Sequence, residues 1–111
     1  MTKITIEKSP LGRNIKVRGH AGDGKSAEGR LVCAAVSMLV QTLAQNIFDA
    51  EDEGIADIID VTLKSGEADI SYITDSDSVN IAADGVCKGF ELLADSYPGA
   101  VALRVKNMAR I

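Results

Sequence analysis

The sequence is poor in aromatic residues and has no excess of positive charge. Among its 111 residues there is no tryptophan, and phenylalanine and tyrosine together make up 4%. The core must therefore be built mainly from aliphatic side chains. Lysine and arginine number 12 against 16 aspartates and glutamates, which gives a formal net charge of −4. Because proteins that bind nucleic-acid phosphates normally carry a basic patch or stripe, we expect no nucleic-acid partner.

Long apolar runs and a cysteine framework are also missing. The longest apolar stretch, residues 31–40, is interrupted by Ser37 and is shorter than the ~18 residues of a membrane span. Polar residues alternate with apolar ones from the first positions, which is not the pattern of a secretory signal. The two cysteines, Cys33 and Cys87, are too few for a disulfide-stabilised fold. We therefore expect a cytoplasmic protein with reduced thiols and no membrane partner.

The remaining composition is that of one small globular domain. Hydrophobic residues make up 46% and charged residues 25% of the chain, and both values are ordinary for globular proteins. A length of 111 residues leaves room for a single core. Residues 1–111 are therefore predicted to form one domain.

Apolar and polar residues alternate in five segments, which predicts five β-strands. The first two flank a turn at residues 10–12, and the next two flank a compact turn at residues 65–66, so each pair is predicted to form a hairpin. In the third strand, Ile59, Val61 and Leu63 are expected to share one face. The last strand alternates over residues 101–105.

Two further segments have helical periodicity. The first, residues 30–48, is apolar nearly all round, and Leu31 and Met38 are among its expected core positions. The second begins at a serine cap, Ser76 or Ser78, and ends near residue 97. The element order predicts an α+β fold, ββαββαβ, with a mostly antiparallel sheet and two helices packed on it. The apolar surplus of the first helix predicts a homodimer, which would bury it.

A glycine-rich segment, residues 19–29, follows the second strand and is predicted to be a mobile loop. Its residues Gly19, Gly24, Lys25 and Ser26 match the phosphate-loop pattern G-x-x-x-x-G-K-[ST], in which backbone N–H groups hold phosphates and the serine binds Mg²⁺. The context argues against nucleotide binding, because such a loop follows a buried parallel strand. The strand here alternates as an antiparallel strand with one solvated face does.

The same segment brings a histidine near a cysteine. His20 ends a predicted strand, and Cys33 lies in the predicted first turn of a helix. A helix N-terminus stabilises a thiolate, and a histidine within reach can act as its base. A cysteine in an apolar helix is also commonly a small buried hydrophobe, and Cys87 is assigned to the core for that reason. One histidine and two cysteines on separate elements predict no metal site, and no cofactor is expected.

The run Gly19-His20-Ala21-Gly22, a glycine-rich spacer and then residues 32–37 (Val-Cys-Ala-Ala-Val-Ser) resembles the ribosomal-processing cysteine protease (Prp) family. The resemblance extends over the whole chain in length and element order. It implies a homodimeric α+β cysteine endopeptidase whose substrate is the N-terminal extension of a large-subunit ribosomal protein. Phage relatives are expected to cut other proteins, such as capsid components.

The resemblance also implies roles for individual residues. Cys33 matches the nucleophile and His20 the general base and acid, while Ser37, Gly19 and Gly22 match supporting positions. Arg30 departs from the family pattern, which usually has an acidic residue there. In its place Asp23 or Glu28 would orient the imidazole.

These roles imply an oxyanion site and a lid, while a function without catalysis remains the alternative. Backbone N–H groups at the start of the helix are expected to hold the oxyanion, and residues 22–29 are expected to close over the substrate as a lid. The alternative function is a non-catalytic module that binds peptides or associates with the ribosome.

Overall fold

The computed structural model describes residues 1–20 and 26–108. The described residues form five strands and two helices in the predicted order ββαββαβ, which confirms the α+β prediction. The elements are β1 (Thr2–Lys8), β2 (Gly12–Arg18), α1 (Ala27–Asp52), β3 (Asp57–Lys64), β4 (Glu67–Ile73), α2 (Asp77–Ser96) and β5 (Val101–Asn107).

The five strands form one mixed sheet in the order β3-β4-β2-β1-β5. The pairs β1–β2, β2–β4 and β3–β4 are antiparallel, and only β1–β5 is parallel. Both predicted hairpins are therefore present. The parallel pair is possible because α2 carries the chain back across the sheet before β5 begins.

The core lies between one face of this sheet and the two helices. Alternate residues of β1, β2 and β4 point toward the helices and are buried, as the alternation predicts. Aliphatic side chains fill most of the core, while Tyr72 and Phe90 are its largest members. The buried hydrophobic strand residues are Ile4, Ile6, Ile15, Val17, Ala68, Ile70, Tyr72 and Val101.

Helix α1 differs from the prediction in its bounds and in its buried face. It begins at Ala27, because the Ser26 side chain caps it by accepting a hydrogen bond from the Gly29 N–H, and it ends four residues later than expected. The predicted core positions Leu31 and Met38 are exposed. A helix that is apolar nearly all round gives little indication of which side packs. The side that packs contains Val32, Val36, Val40, Leu43, Ala44, Ile47 and Ala50.

By length and composition alone, α1 is also long and apolar enough to cross a membrane. Core helices have the same composition, and its buried valines pack in the hydrophobic core.

The predicted alternation of β3 was wrong in its first half. The register with β4 shifts between Ile58 and Asp60, so that Ile58 is half-buried and Ile59 is exposed. Such an irregularity is common at a sheet edge, where β3 lies. Helix α2 follows the prediction more closely, since Ser76 caps it and Cys87 is buried.

Candidate active site

A cleft of about 640 Å³ lies between α1 and the turn that joins β3 to β4. One wall is formed by successive turns of α1, and the other by the end of β2 and the β3–β4 hairpin. The cleft contains the histidine, one of the two cysteines and Ser37. Its lining residues are Thr2, Val17, Gly19, His20, Cys33, Val36, Ser37, Val40, Gln41, Ala44, Gln45, Phe48 and 63–68.

His20 lies two residues beyond the end of β2 and is exposed. Its imidazole packs over Gly66, at the tip of the β3–β4 hairpin, since a Cβ atom built on Gly66 would lie 2.6 Å from Nε2. The residue before it is tied to the same tip, because the Gly19 N–H donates a hydrogen bond of 2.8 Å to the Gly66 carbonyl. The hairpin tip therefore contacts both the side chain and the adjoining backbone.

Cys33 is half-buried on the cleft side of α1. It is the seventh residue of the helix rather than a member of its first turn, so the prediction of its position was wrong. The field of a helix end falls off within one turn, and the N–H groups that lack helical partners belong to the first four residues. The helix N-terminus therefore gives no explanation for a thiolate or an oxyanion site at Cys33.

The predicted supporting residues have different outcomes. Ser37 lines the cleft one turn after Cys33 and accepts a hydrogen bond of 3.2 Å from the Gln41 side chain. Gly19 also lines the cleft, with a φ of +87° that side chains rarely adopt. Gly22 lies outside the described residues.

The acidic partner expected for His20 is not found among residues 1–20 and 26–108. Glu28 is exposed in the first turn of α1, and no hydrogen bond or ion pair between the imidazole and a described carboxylate occurs. Asp23 lies outside the described residues. Glu67 lines the same cleft and lies 3.8 Å from an Arg18 nitrogen.

The phosphate-loop interpretation does not fit the described surroundings. Strand β2, which precedes the glycine-rich segment, pairs antiparallel with both of its neighbours. Ser26 is a helix cap rather than a free hydroxyl. Gly24 and Lys25 lie outside the described residues, as does the first half of the segment predicted to be a mobile loop and lid, residues 22–25. Its second half, residues 26–29, is the cap and first turn of α1, so that part of the prediction was wrong.

No group of three or more histidine, cysteine or acidic side chains is placed to hold a metal ion within the described part of the chain. The cleft contains instead a thiol, an imidazole and hydrogen-bonding side chains. An imidazole and a thiol in one cleft are the groups that thiol-dependent acyl transfer requires.

Sequence reasoning missed the residues that complete the cleft. The hairpin residues 64–67 face the cleft, as do Gln41, Gln45 and Phe48 on the helix. The turn at residues 65–66 was predicted, but nothing in the sequence indicates that it lies beside His20, 46 positions earlier. The glutamines recur at a spacing of four from Ser37, which marks one face of the helix.

Comparison with known proteins places the chain among proteases. The family described as "Cysteine protease Prp" matches residues 1–102. No curated protein matches the sequence.

Among solved structures, a crystal structure of SMU.848 from Streptococcus mutans has a TM-score of 0.71 at 20% identity, with 97% of this chain and 96% of that chain covered. The ribosomal processing protease Prp from S. aureus, bound to a covalently linked product peptide, has a TM-score of 0.72 at 17% identity, with 96% and 100% covered. The same protease with a substrate peptide has a TM-score of 0.69 at 13% identity, with the same coverage. At these identities the solved structures support the fold alone.

Proposed function

The chain belongs to the cysteine protease Prp family and is a cysteine protease, and from this premise we propose that it removes the N-terminal extension of a large-subunit ribosomal protein. The cleft that contains His20 and Cys33 would bind the extension in an extended form. The substrate is proposed from the S. aureus relative, which is described as a ribosomal processing protease. In a phage relative the same chemistry would cut a capsid component.

In the proposed reaction His20 takes the proton of the Cys33 thiol, and the thiolate sulfur attacks the carbonyl carbon of the scissile peptide bond. The C–N bond breaks as the imidazolium gives its proton to the leaving amine. The acyl group remains on Cys33 as a thioester. Water, activated by the now neutral imidazole, then hydrolyses the thioester and regenerates the thiol.

One observation carries this proposal: the only histidine of the chain and one of its two cysteines line the same cleft. The other cysteine, Cys87, is buried elsewhere and is not among the lining residues. Ser37 and its partner Gln41 add hydroxyl and amide groups on the face of α1 that carries Cys33. We propose that they support the thiolate rather than react.

The protein is also proposed to act as a homodimer in the cytoplasm. Large apolar side chains remain exposed on both helices, including Leu31 and Met38 on α1 and Ile81 and Leu92 on α2. A symmetric contact would cover such a surface. Sedimentation equilibrium tests this, since Met38→Lys should shift a dimer toward monomer.

The function is tested with a synthetic peptide that joins the N-terminal extension of the host ribosomal protein to the mature sequence. Mass spectrometry identifies the products, and the rate is compared for the wild type, Cys33→Ser and His20→Ala. We expect both variants to lose roughly 10³-fold or more in kcat/KM, with unchanged circular dichroism.

Cys87→Ser is the matched control, because it makes the same chemical change outside the cleft. If it were inactive while Cys33→Ser cleaved normally, the assigned nucleophile would be wrong. If the folded wild type failed to cut any extension peptide, the proposed substrate would be wrong.

A further inference from the structure

We infer that Gly66, at the tip of the β3–β4 hairpin, is a positioning residue that holds the imidazole of His20 in place for the reaction. The inference rests on the proposed role of His20 as base. It adds an element that is remote in sequence from both catalytic residues and that makes no use of an acidic partner.

The imidazole of His20 lies directly against Gly66. A Cβ atom on Gly66 would lie 2.6 Å from Nε2 of His20, 3.1 Å from Cε1 and 3.2 Å from Cδ2. The imidazole therefore occupies the space that any side chain at position 66 would need. Van der Waals contact with the glycine backbone limits where the ring can lie.

The backbone next to His20 is also tied to the hairpin tip. The Gly19 N–H donates to the Gly66 carbonyl at 2.8 Å, which fixes the chain one residue before His20. Gly19 itself has a φ of +87°, and a Cβ atom there would lie 2.5 Å from the Met1 carbonyl oxygen. The segment that carries the imidazole is thus hydrogen-bonded to the hairpin tip on one side and passes close to Met1, just before β1, on the other.

A methyl group at position 66 would displace the imidazole of His20 rather than the hairpin. The neighbouring atoms belong to the exposed end of a rotatable side chain, whereas the Gly66 backbone is fixed by the hairpin. The imidazole would therefore move and the hairpin would stay. A shift of about 1 Å in a catalytic group can lower the rate about 10²-fold.

The variant Gly66→Ala has a matched control in Gly54→Ala. Both glycines have positive φ, +70° for Gly66 and +77° for Gly54, but no atom lies within 4 Å of a Cβ atom built on Gly54. The backbone strain is therefore shared, and only Gly66→Ala crowds the imidazole. We expect both variants to fold, with similar decreases in Tm of about 4–8 °C.

In the cleavage assay, Gly66→Ala should lower kcat by about 10- to 100-fold with little change in KM, while Gly54→Ala should retain wild-type values. A second readout is independent of cleavage. The chain has a single histidine, so its Cε1–H proton gives one resolved NMR resonance, which should shift in Gly66→Ala and not in Gly54→Ala.

The outcomes separate this inference from the proposed function. Wild-type kcat and an unshifted resonance in Gly66→Ala would overturn the positioning role and leave the protease intact. A shifted resonance with unchanged kcat would also overturn it, because the ring would then move without consequence. If the wild type cut no extension peptide, the proposed function would fail, and the NMR comparison would still test whether Gly66 sets the ring position.

A second inference comes from the opposite face of the sheet, where we infer a binding surface for the phosphate backbone of a nucleic acid. Residues of β1, β2 and β5 that alternate with the buried ones point away from the helices. Around Thr5 they place five cations and one carboxylate, that of Glu7, while the neighbouring strand β4 places Glu67 beside Arg18 and Asp69 beside Lys16 on the same face. We call the five cations the basic face: Lys3, Lys16, Arg18, Arg104 and Lys106.

The strand register brings these cations together. Lys16 on β2 and Arg104 on β5 both pair with Thr5, while Lys3 pairs with Arg18. Neighbouring strands are about 4.8 Å apart, so the cluster spans three strands. A chain with a net charge of −4 thus has a cluster of positive charge on β1, β2 and β5, bordered by the acidic residues of β4.

Most of these charges have no ion-pair partner in the part of the chain that the structure describes. Arg18 is neutralised by Asp69, whose carboxylate oxygens lie 2.8 and 3.0 Å from one guanidinium nitrogen. Across residues 1–20 and 26–108, the other four cations form no ion pair. They are Lys3, Lys16, Arg104 and Lys106.

The chemistry of the face favours the backbone of a nucleic acid over its bases. The three strands contain no aromatic residue on which bases could stack. Three lysines and one arginine that form no ion pair within the described residues match the repeated charge of phosphates, and such contacts carry no sequence preference.

The test is fluorescence anisotropy of the full-length protein with a labelled oligouridylate, which does not depend on cleavage. We expect binding in about 50 mM salt that weakens with a slope of about −2 to −3 in log K against log salt, as three to four phosphate contacts predict. Arg104→Glu and Lys16→Glu should each weaken binding about fivefold or more. Lys88→Glu on α2 makes the same change in net charge away from this face and should have little effect.

Absence of binding in low salt would overturn the inference, and so would equal losses in Arg104→Glu and Lys88→Glu. If polyglutamate competed as well as unlabelled oligouridylate, the partner would be an acidic protein and the nucleic-acid assignment would be wrong.

Discussion

The two cysteines of this protein both lie in helices but have different structural surroundings. Cys33 is half-buried and lines the cleft with His20. Cys87 is only 6% exposed, and burial raises the pKa of its thiol to about 11, with the nearby charges of Lys8, Asp84 and Arg13 acting in both directions.

The difference shows that a position within a helix does not by itself decide what a cysteine does. A thiol reacts as the thiolate, and a thiol with a pKa of about 11 contributes almost none at neutral pH. The two cysteines therefore differ in the side of the helix on which they lie and in the groups that face them. Cys33 has an imidazole in its cleft, whereas Cys87 packs in the hydrophobic core.

The largest contrast is expected in alkylation of the native protein. Iodoacetamide at neutral pH should modify Cys33 at least about 10²-fold faster than Cys87, because the thiolate of Cys87 is scarce and buried. Peptide mapping by mass spectrometry measures both rates in one sample. In denaturant the two rates should converge, and comparable rates in the native state would contradict the assignment of Cys87 to the core.

The packing around Cys87 should be costly to disturb. Phe90, one turn further along α2, is fully buried, and Phe90→Ala should lower the free energy of unfolding by about 3–5 kcal/mol. Leu92→Ala in the same helix is the control, since Leu92 is 61% exposed and its loss should cost no more than about 0.5 kcal/mol. Urea denaturation measures both, and equal effects would show that α2 packs differently.

Serine at the two cysteine positions should affect stability unequally. Cys87→Ser places a hydroxyl in the core and should cost about 1–3 kcal/mol, while Cys33→Ser in the open cleft should cost less. The same denaturation experiment compares them. A greater cost at position 33 would indicate that Cys33 is the core residue.

The smallest expected effect on stability comes from the charged side chains near Cys87. Desolvation alone would raise the pKa of Asp84, but the hydrogen bonds and charges of Arg13 and Lys8 outweigh it and hold that pKa below its usual value. The resulting stabilisation is present above about pH 4, the unfolded value, and is lost as the pH falls through the lower folded pKa.

Because the Asp84 side chain is 47% exposed, screening keeps this contribution below about 1 kcal/mol. Asp84→Asn should therefore reduce stability slightly at neutral pH and make it less dependent on pH between about 5 and 3. Thermal melts over that range measure the difference, and a steeper acid dependence in Asp84→Asn would contradict the sign.

The sequence predicted the parts of the fold that depend on local pattern. Period-two alternation located the strands, and the serines at positions 76 and 78 marked the start of α2, where Ser76 is the cap. The buried face of α1 was mispredicted because valine, leucine and methionine surround that helix, and only contact with the sheet selects the side of Val32. The register shift in β3 depends on pairing with β4, which no local pattern reveals.

For the site, the motif identified His20 and Cys33, and the structure places both in one cleft. Their roles in catalysis remain predictions. The contact of His20 with Gly66 joins residues far apart in the chain, so it could not be predicted from spacing. The basic face was hidden for a related reason, because a net charge sums over the molecule and cannot show that cations share one side of a sheet.

The most direct test of the account is whether the reactivity of Cys33 depends on His20. The rate of alkylation of Cys33 is measured against pH in the Cys87→Ser background, with and without His20→Ala. If the two residues act as a pair, His20→Ala should abolish the reaction at neutral and mildly acidic pH and leave only the rise at alkaline pH that any free thiol shows. Identical profiles with and without the imidazole would contradict the account, because Cys33 would then share a cleft with His20 without being activated by it.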